Sequence, residues 1–592
     1  MVGRYLVTTA VEETWPTKGE PVLFLGDWCR LHLKKAAWEK LDFVVAPYHW
    51  DDREKLHKDY LYIQSIYEKL LLELTEKLNV IHGVKYSVRY WRIIVGPWLG
   101  FFIQMLFDRW SMLRQVLREN SISGVRVLQK SEVEVVPNDF TKFSSDFISA
   151  EWNEAIYSQL LILMGISVET IYKRPDSEIL TTNLSSKLRI FRKLKKGLFD
   201  VVSDLVNRLV NDDEYFFISS YLGRLDDAKL QAKLGQVPKR WNTVACPIKA
   251  VNTEKRKWGS TELLAIENFI EIARDFIPRH IPTVYLEGYL DLVEVAVNLP
   301  WPIRPKAIFT SNSFYADDVF KTWAAEKAES GVPVIIGQHG GVYGVALWNF
   351  CEDHEIAIAD RFLTWGWGEP ADDKVKPLGS FKFFSKKMKS DNAGKALLVE
   401  MTMPQNSYHM YSVTVSAGQW QTYFEDQCRF MRALPTNIRD QVLVRLSSID
   451  YAYSQRQRWE EKFPSVQLDD GLTPLDLLTN QTRLYISTYN ATTYLESMAL
   501  NFPTIIFWNS KHWEIRESAI PYFEKLKSVG IFHETPESAA IQMCAVWDDV
   551  AAWWNSQSVQ SVRQDFCKQY ARRPKKPIDE MARLIREIAE KD

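Results

Sequence analysis

The sequence predicts an α/β protein of two Rossmann-like domains that face one cleft, the first carrying a large helical insertion. Three observations predict it. Short apolar runs that end in polar or glycine-rich loops recur on both sides of a polar, lysine-rich stretch, Lys374–Asn392, and such runs read as buried parallel strands. Helical periodicity follows them, as at Ile63, Tyr67, Leu70, Leu71, Leu74 and Leu78. At 592 residues the chain is also too long for one hydrophobic core. The expected division is 1–385 and 386–592, with the insertion at about 140–300.

In chain order, Tyr5–Thr8, Pro21–Leu25 and Phe43–Ala46 are the first strands, and the last two end in Gly26-Asp27-Trp28-Cys29 and Pro47-Tyr48-His49-Trp50-Asp51-Asp52-Arg53. Open α/β sheets bind ligands at the carboxyl ends of their strands. His49 and Asp51 are therefore candidates for acceptor binding or for a base, whereas Asp52 reads as the N-cap of the next helix. That helix carries the stripe named above and stops at Gly83. Ile93–Phe107 has 15 uncharged residues between Arg92 and Asp108, short of the roughly 20 that span a bilayer, so it reads as a buried helix. Within the helical insertion one strand is expected at Tyr215–Ser220. The segment 184–198 interleaves Lys187, Arg189, Arg192, Lys193, Lys195 and Lys196 with leucines and Phe191. It reads as a solvated helix face or as a surface for an anionic membrane.

Strands resume at Lys306–Thr310. Val332–Ile336 then runs into Gly337-Gln338-His339-Gly340-Gly341, where glycine lets the backbone approach a ligand closely. His339 is the first catalytic candidate, with Gln338 beside it; the competing reading is a turn histidine bonded to a carbonyl. Glu352-x-His354-Glu355 lacks the two histidines four apart of a metal helix, so no metal site is expected. Arg361–Trp365 is a further strand, and Lys374–Asn392 is the linker. Beyond it, Ala396–Glu400, Gln441–Leu446, Leu484–Ser487 and Pro503–Trp508 form the second sheet. The loop after Leu484–Ser487 is rich in hydroxyls and opens a helix. A helix N-terminus offers unpaired N–H groups and positive potential, so Ser487, Thr488, Asn490, Thr492 and Thr493 suit a diphosphate and Glu496 a ribose hydroxyl. Thr493-x-x-Glu496 is equally a capping box.

Composition narrows the partners. Lys+Arg 73 against Asp+Glu 75 gives a formal charge of -2, which argues against nucleic acid. Six cysteines without a C-x-x-C pair suit a reducing compartment. No signal-peptide pattern opens the sequence, and a cytoplasmic location is expected. The 22 tryptophans are a mild pointer to sugar rings, most aromatics being core.

The combination LVTTA, PVLFLGDWC, PYHWDDR, SVRYWRIIVGPWL, GQHGGVYG, FLTWGWGE and YISTYNATTYLESMALNFPTIIFWN resembles a family of bacterial transferases of O-antigen and surface-polysaccharide biosynthesis. More distantly, the QHG turn and the hydroxyl-rich strand–helix loop resemble GT-B glycosyltransferases and teichoic-acid and capsule transferases. The resemblance implies an acceptor side in the N-terminal half and a nucleotide-sugar side in the C-terminal half. It further implies a lipid-linked or oligosaccharide acceptor, no cofactor beyond the donor, and work at the cytoplasmic face of the inner membrane, with peripheral contact through 184–198. Where capsule and teichoic-acid relatives carry His-Pro, this chain has Arg445-Leu446-Ser447-Ser448. Arg445 is then the expected phosphate ligand, and Gln338 is expected to orient the sugar. The alternatives are transfer of a phospho-alditol from a CDP-activated donor and a scaffold role in polysaccharide assembly.

Overall fold

In the computed structural model, residues 3–128, 132–171, 211–258, 267–368, 372–407 and 409–591 are described. The basic segment 184–198 and Glu369 of FLTWGWGE lie outside them. Three sheets are present, every pairing within them parallel. The first contains β1 (Arg4–Val7), β2 (Val22–Phe24), β3 (Phe43–Val45), β4 (Ile122–Leu128) and β5 (Glu169–Ile171), in the order β3-β2-β1-β4-β5. The second contains β6 (Phe216–Ile218), β7 (Ile308–Thr310), β8 (Val334–Gly337), β9 (Arg361–Thr364) and β10 (Val375–Pro377), laid down consecutively. The third contains β11 (Lys395–Val399), β12 (Val442–Arg445), β13 (Gln467–Asp469), β14 (Thr482–Ser487), β15 (Thr504–Phe507) and β16 (Phe532–His533), in the order β13-β12-β11-β14-β15-β16.

The parallel α/β class is as expected, but residues up to Pro377 form two sheets where one was expected, and β10 lies inside the stretch Lys374–Asn392 expected as a linker. β4 and β5 extend the first sheet on the far side of β1, and β6 pairs instead with β7, which places it in the second sheet. The expected strand at Tyr215–Ser220 is thus the edge of a sheet rather than part of an insertion.

The helix Val88–Glu119 ties the first two sheets together. Ser87 caps it by accepting from the Tyr90 N–H at 3.2 Å, and 94% of its most apolar 18-residue window is buried inside the protein. The expectation of a buried helix is met. Gly96 and Gly100 lie one turn apart on it, and a Cβ at Gly100 would sit 1.9 Å from Phe350 Cζ, one at Gly96 2.9 Å from His354 Cε1. The two glycines make a groove for the helix Phe350–Ile358. Its seating matters because it carries Glu352 and Glu355.

The third sheet reverses its order between β11 and β14, the switch point at which open α/β sheets take ligands. Glu400, at the end of β11, is buried there and accepts a hydrogen bond from Trp459 Nε1 at 2.9 Å. Burial pushes its carboxyl up to about 8, against the opposing Trp459 bond. The folded state therefore holds this proton more tightly than the unfolded chain. The stability so gained is complete below the unfolded value of 4.5 and is lost as pH rises through about 8. Glu400→Gln should remove a slope of up to ~1.4 kcal/mol per pH unit in that window. Urea midpoints of the two proteins across the range check it; parallel curves would contradict it.

Candidate active site

Five parallel strands bring the loops of the second sheet to one edge, and His339 follows β8 there. Its neighbour Gln338 is fully buried. Gln338 Nε2 donates to the Gly340 carbonyl at 2.8 Å, and Oε1 accepts from the Trp365 N–H at 2.9 Å and Trp367 Nε1 at 2.8 Å. With its amide so engaged, Gln338 shapes the turn; the expected sugar-orienting role is corrected to a structural one. The His339 side chain is 21% exposed, and its Nδ1 lies 3.5 Å from Glu355 Oε1. Rings of Tyr343, Tyr315 and Tyr221 stand around the imidazole at 5.2, 5.8 and 6.0 Å between centroids. Glu355 is wholly buried and accepts from Tyr315 OH at 3.0 Å and from Tyr343 OH. A carboxylate behind an imidazole orients the ring and meets the charge it gains on taking a proton.

Sequence reasoning missed Glu355 in this role, because it weighed the residue only within a metal-ligand spacing. The three side chains of that spacing have separate tasks. Glu352 accepts from the Gly344 N–H at 2.8 Å and from Arg516 Nη2 at 2.9 Å. His354 is buried against the glycine groove, and burial pushes its imidazole down to about 3. Among the described residues no group of three or more His, Cys, Asp or Glu side chains is placed to hold a metal.

The turn after His339 meets the hydroxyl-rich loop of the third sheet directly. The Gly341 N–H donates to Thr492 Oγ1 at 3.1 Å, and a Cβ at Gly341 would lie 2.4 Å from the Ala491 carbonyl carbon. Only glycine permits so close a backbone approach. The chain beyond clasps the third unit: Ala346 bridges Ile515 antiparallel, and Leu347 N–H donates to the Glu514 carbonyl at 2.9 Å. The turn that carries His339 and the 487–493 loop thus meet directly.

Within that loop the helix Thr492–Ala499 begins at Thr492, and Ala491 caps it without a side-chain bond. The N–H groups of its first turn keep their potential for an anion. Thr492 and Thr493 are partly exposed, but Ser487, Thr488 and Asn490 are buried. Ser487 Oγ donates to the Tyr489 carbonyl at 3.2 Å, Thr488 Oγ1 to the Val399 carbonyl at 2.8 Å, and Asn490 Oδ1 accepts from Tyr494 OH at 3.1 Å. These three hold the loop; as direct phosphate ligands they are corrected. The capping box does not form either. Thr493 lies inside the helix, and Glu496 pairs with Lys386 Nζ at 2.5 Å.

Two lysines of the stretch expected as a linker therefore reach residues around His339 and the helix Thr492–Ala499. Lys386 meets Glu496, and Lys382 Nζ lies 5.5 Å over the Tyr221 ring that flanks His339. Burial holds the Lys382 ammonium below its ordinary range, with Glu496 opposing that shift.

Other expected residues have different occupations. Arg445 Nη1 donates to Asp469 Oδ1 at 2.8 Å and the Thr473 carbonyl at 2.7 Å, and Nη2 to the Gly471 carbonyl at 2.9 Å. Its charge is neutralised inside the third unit, which corrects its assignment to phosphate. His49 is buried with both nitrogens engaged, Nδ1 accepting from Lys55 at 3.1 Å and Nε2 at 2.9 Å from Asp108 Oδ1. Burial lowers its pKa, and neither nitrogen is open to an acceptor. Asp51 accepts from Gln419 Nε2 at 3.1 Å while Arg53 grips Glu514 at 2.7 and 2.9 Å. Burial raises the Asp51 carboxyl and the Gln419 bond opposes it. The loop docks the first sheet on the third unit; His49 is closed off there and is corrected as a candidate base, whereas Asp51 stays exposed with one oxygen bonded to Gln419. Asp52 accepts from the Lys55 N–H at 3.0 Å, as an N-cap should.

The parallel α/β scaffold thus sets a carboxylate-backed histidine near the start of the helix Thr492–Ala499. The chain belongs to the LIC12162 family of transferases, whose model matches residues 4–585. The expectation of a transferase is met. No curated protein matches it. Among solved structures it is similar to the spinosyn rhamnosyltransferase SpnG complexed with spinosyn aglycone, at 13% identity over 51% of this chain and 76% of that one, TM-score 0.28. It is also similar to the wall teichoic acid polymerase TagF, at 9% identity over 48% and 74%, TM-score 0.27. A third is the Streptomyces sp. SF2575 glycosyltransferase SsfS6, at 12% identity over 61% and 88%, TM-score 0.25.

Proposed function

We propose that the protein is a glycosyltransferase that moves a sugar from a nucleotide-activated donor to a hydroxyl of a surface-polysaccharide acceptor. The observation that supports this reading is the Gly341–Thr492 junction, which brings the turn of His339 against the start of the helix Thr492–Ala499. On this reading the second and third sheets are the catalytic pair, acceptor and donor side respectively, and the first sheet is an added layer docked through Asp51–Arg53. His339 takes the proton of the acceptor hydroxyl and Glu355 steadies the imidazolium. The acceptor oxygen bonds to the anomeric carbon as the bond from that carbon to the leaving phosphate oxygen breaks. The electron pair departs on the nucleoside phosphate. Its charge is met by the first-turn N–H groups, the hydroxyls of Thr492 and Thr493, Lys386 and Lys382. Protein cations fill this role without a metal, and transfer is expected to survive excess chelator. Acceptors on a lipid carrier place the work at the cytoplasmic face of the inner membrane.

Glu496 is assigned to the ribose, exchanging Lys386 for a hydroxyl. A thermal-shift screen with UDP, GDP, CDP, CMP and dTDP identifies the nucleotide, since a ligand at 100 times its dissociation constant adds ~2.7 kcal/mol of stability. Glu496→Gln should weaken binding of that nucleotide about tenfold. The fold should be little changed, because Lys386 is half exposed and such pairs contribute at most ~1 kcal/mol. Unaltered binding would remove Glu496 from the site.

A further inference from the structure

Beside His339 the carboxyl ends of β6 and β7 open into a cavity of about 1050 Å³, lined in part by Ser219, Asn312, Ser313, Asp139, Asp317 and Asp318. Two contacts link its lining to the candidate base: Asn312 Nδ2 donates to Tyr221 OH at 2.8 Å, and the Tyr221 ring stands edge-on to His339. Neighbouring strands lie about 4.8 Å apart, so loops after β6, β7 and β8 are adjacent. The lining carries three carboxylates, Asp139, Asp317 and Asp318, and one lysine, Lys142. Asp318 is saturated by the Phe140 N–H at 2.9 Å, Tyr285 OH at 2.6 Å and Lys321 at 2.5 Å. Asp139 accepts from the Lys142 N–H at 2.7 Å and Asn138 Nδ2 at 3.1 Å. The lysine of the lining, Lys142, is committed to Asp146.

Asp317 is different. It is 7% exposed; Oδ1 caps the helix Asp318–Glu329 through the Phe320 N–H at 3.0 Å, and Oδ2 is buried with no hydrogen-bond partner. A buried acceptor left open is costly unless something donates to it. The hydroxyls of a sugar are donors of the right kind. A phosphate brings acceptor oxygens and negative charge to a lining that already holds Asp139 and the open acceptor of Asp317.

We propose that this cavity is the acceptor subsite and that it selects an uncharged, hydroxyl-rich glycan, held by a hydroxyl donating to Asp317, over a phosphate-bearing one. The proposal rests on the assignment of His339 as the base. It turns the function away from elongation of an anionic polyol-phosphate chain and towards a neutral polysaccharide.

The probes are p-nitrophenyl hexosides and their 6-phosphates, followed by saturation-transfer NMR and titration on the full chain. At least one neutral hexoside should bind, its 6-phosphate at least about tenfold more weakly. Asp317→Asn should weaken the neutral ligand about tenfold while keeping the melting temperature, because asparagine caps a helix as well as aspartate. Asn312→Ala, which breaks no helix cap, serves as the second variant with the same expected direction. Equal or tighter binding of the 6-phosphate, no binding by any neutral hexoside, or wild-type affinity in both variants would overturn the proposal. Nucleotide binding measured on the same samples separates the two readings. Nucleotide bound with the acceptor rule broken sinks this inference alone, whereas hexoside bound with no nucleotide sinks the donor assignment and leaves the cavity standing.

Discussion

Replacing His339 by Ala is expected to cut turnover at least about a hundredfold while nucleotide affinity stays nearly unchanged. A general base supplies on the order of 100- to 10,000-fold in rate, and the nucleotide is assigned to the opposite wall of the cleft, so the loss should fall on kcat and not on donor binding. His339→Asn keeps a hydrogen-bonding side chain without a basic nitrogen and should be as inactive as the Ala variant. Near wild-type activity in the Asn variant would make His339 a positioning residue. Glu355→Gln is expected to cost about tenfold or more, since Tyr315 and Tyr343 still find an acceptor there but the negative charge behind the imidazole is gone. Full activity of that variant would remove Glu355 from the mechanism.

Gly341→Ala is expected to lower transfer by about a hundredfold as well, for a different reason. The added methyl would stand 2.4 Å from the Ala491 carbonyl carbon and 2.6 Å from the Thr492 nitrogen. Both are backbone atoms at the start of a helix, with no flexible side chain to swing aside. The turn and the loop must part by about an ångström, and a displacement of that size in a reacting geometry costs on the order of 100-fold. Single-turnover kinetics beside a melting curve checks it. Wild-type transfer by a folded Gly341→Ala protein would show that the junction does not set the distance between base and donor.

The parallel strands were legible where they are buried on both faces, as in Val334–Gly337 and Thr504–Phe507, because such strands are continuous apolar runs. Ile122–Leu128 was not legible, since its charged and small residues interrupt the run, and neither were the short edge strands Gln467–Asp469 and Phe532–His533. Without β4 and β5 the first sheet looked unfinished, and the count of sheets came out one short. Sheet membership is a long-range property that no local pattern carries. His339 and Gly341 were legible from their place between glycines at a strand end. Glu355 was not, because its approach depends on Gly96 and Gly100 in a helix more than 200 residues earlier in the chain. The hydroxyl-rich loop misled in a physical way: Ser487 and Thr488 bond the local backbone, the usual use of short polar side chains in tight turns.

The central claim is that donor and base meet between the second and third sheets. A crystal structure with the nucleoside phosphate selected by the thermal-shift screen tests it most directly. The phosphates should lie within hydrogen-bond reach of Thr492, Thr493 and Lys386, with the ribose on Glu496 and His339 facing the leaving oxygen across the cleft. Phosphates seated instead at the carboxyl ends of the first sheet, beside Thr8 and Thr9, would contradict the account.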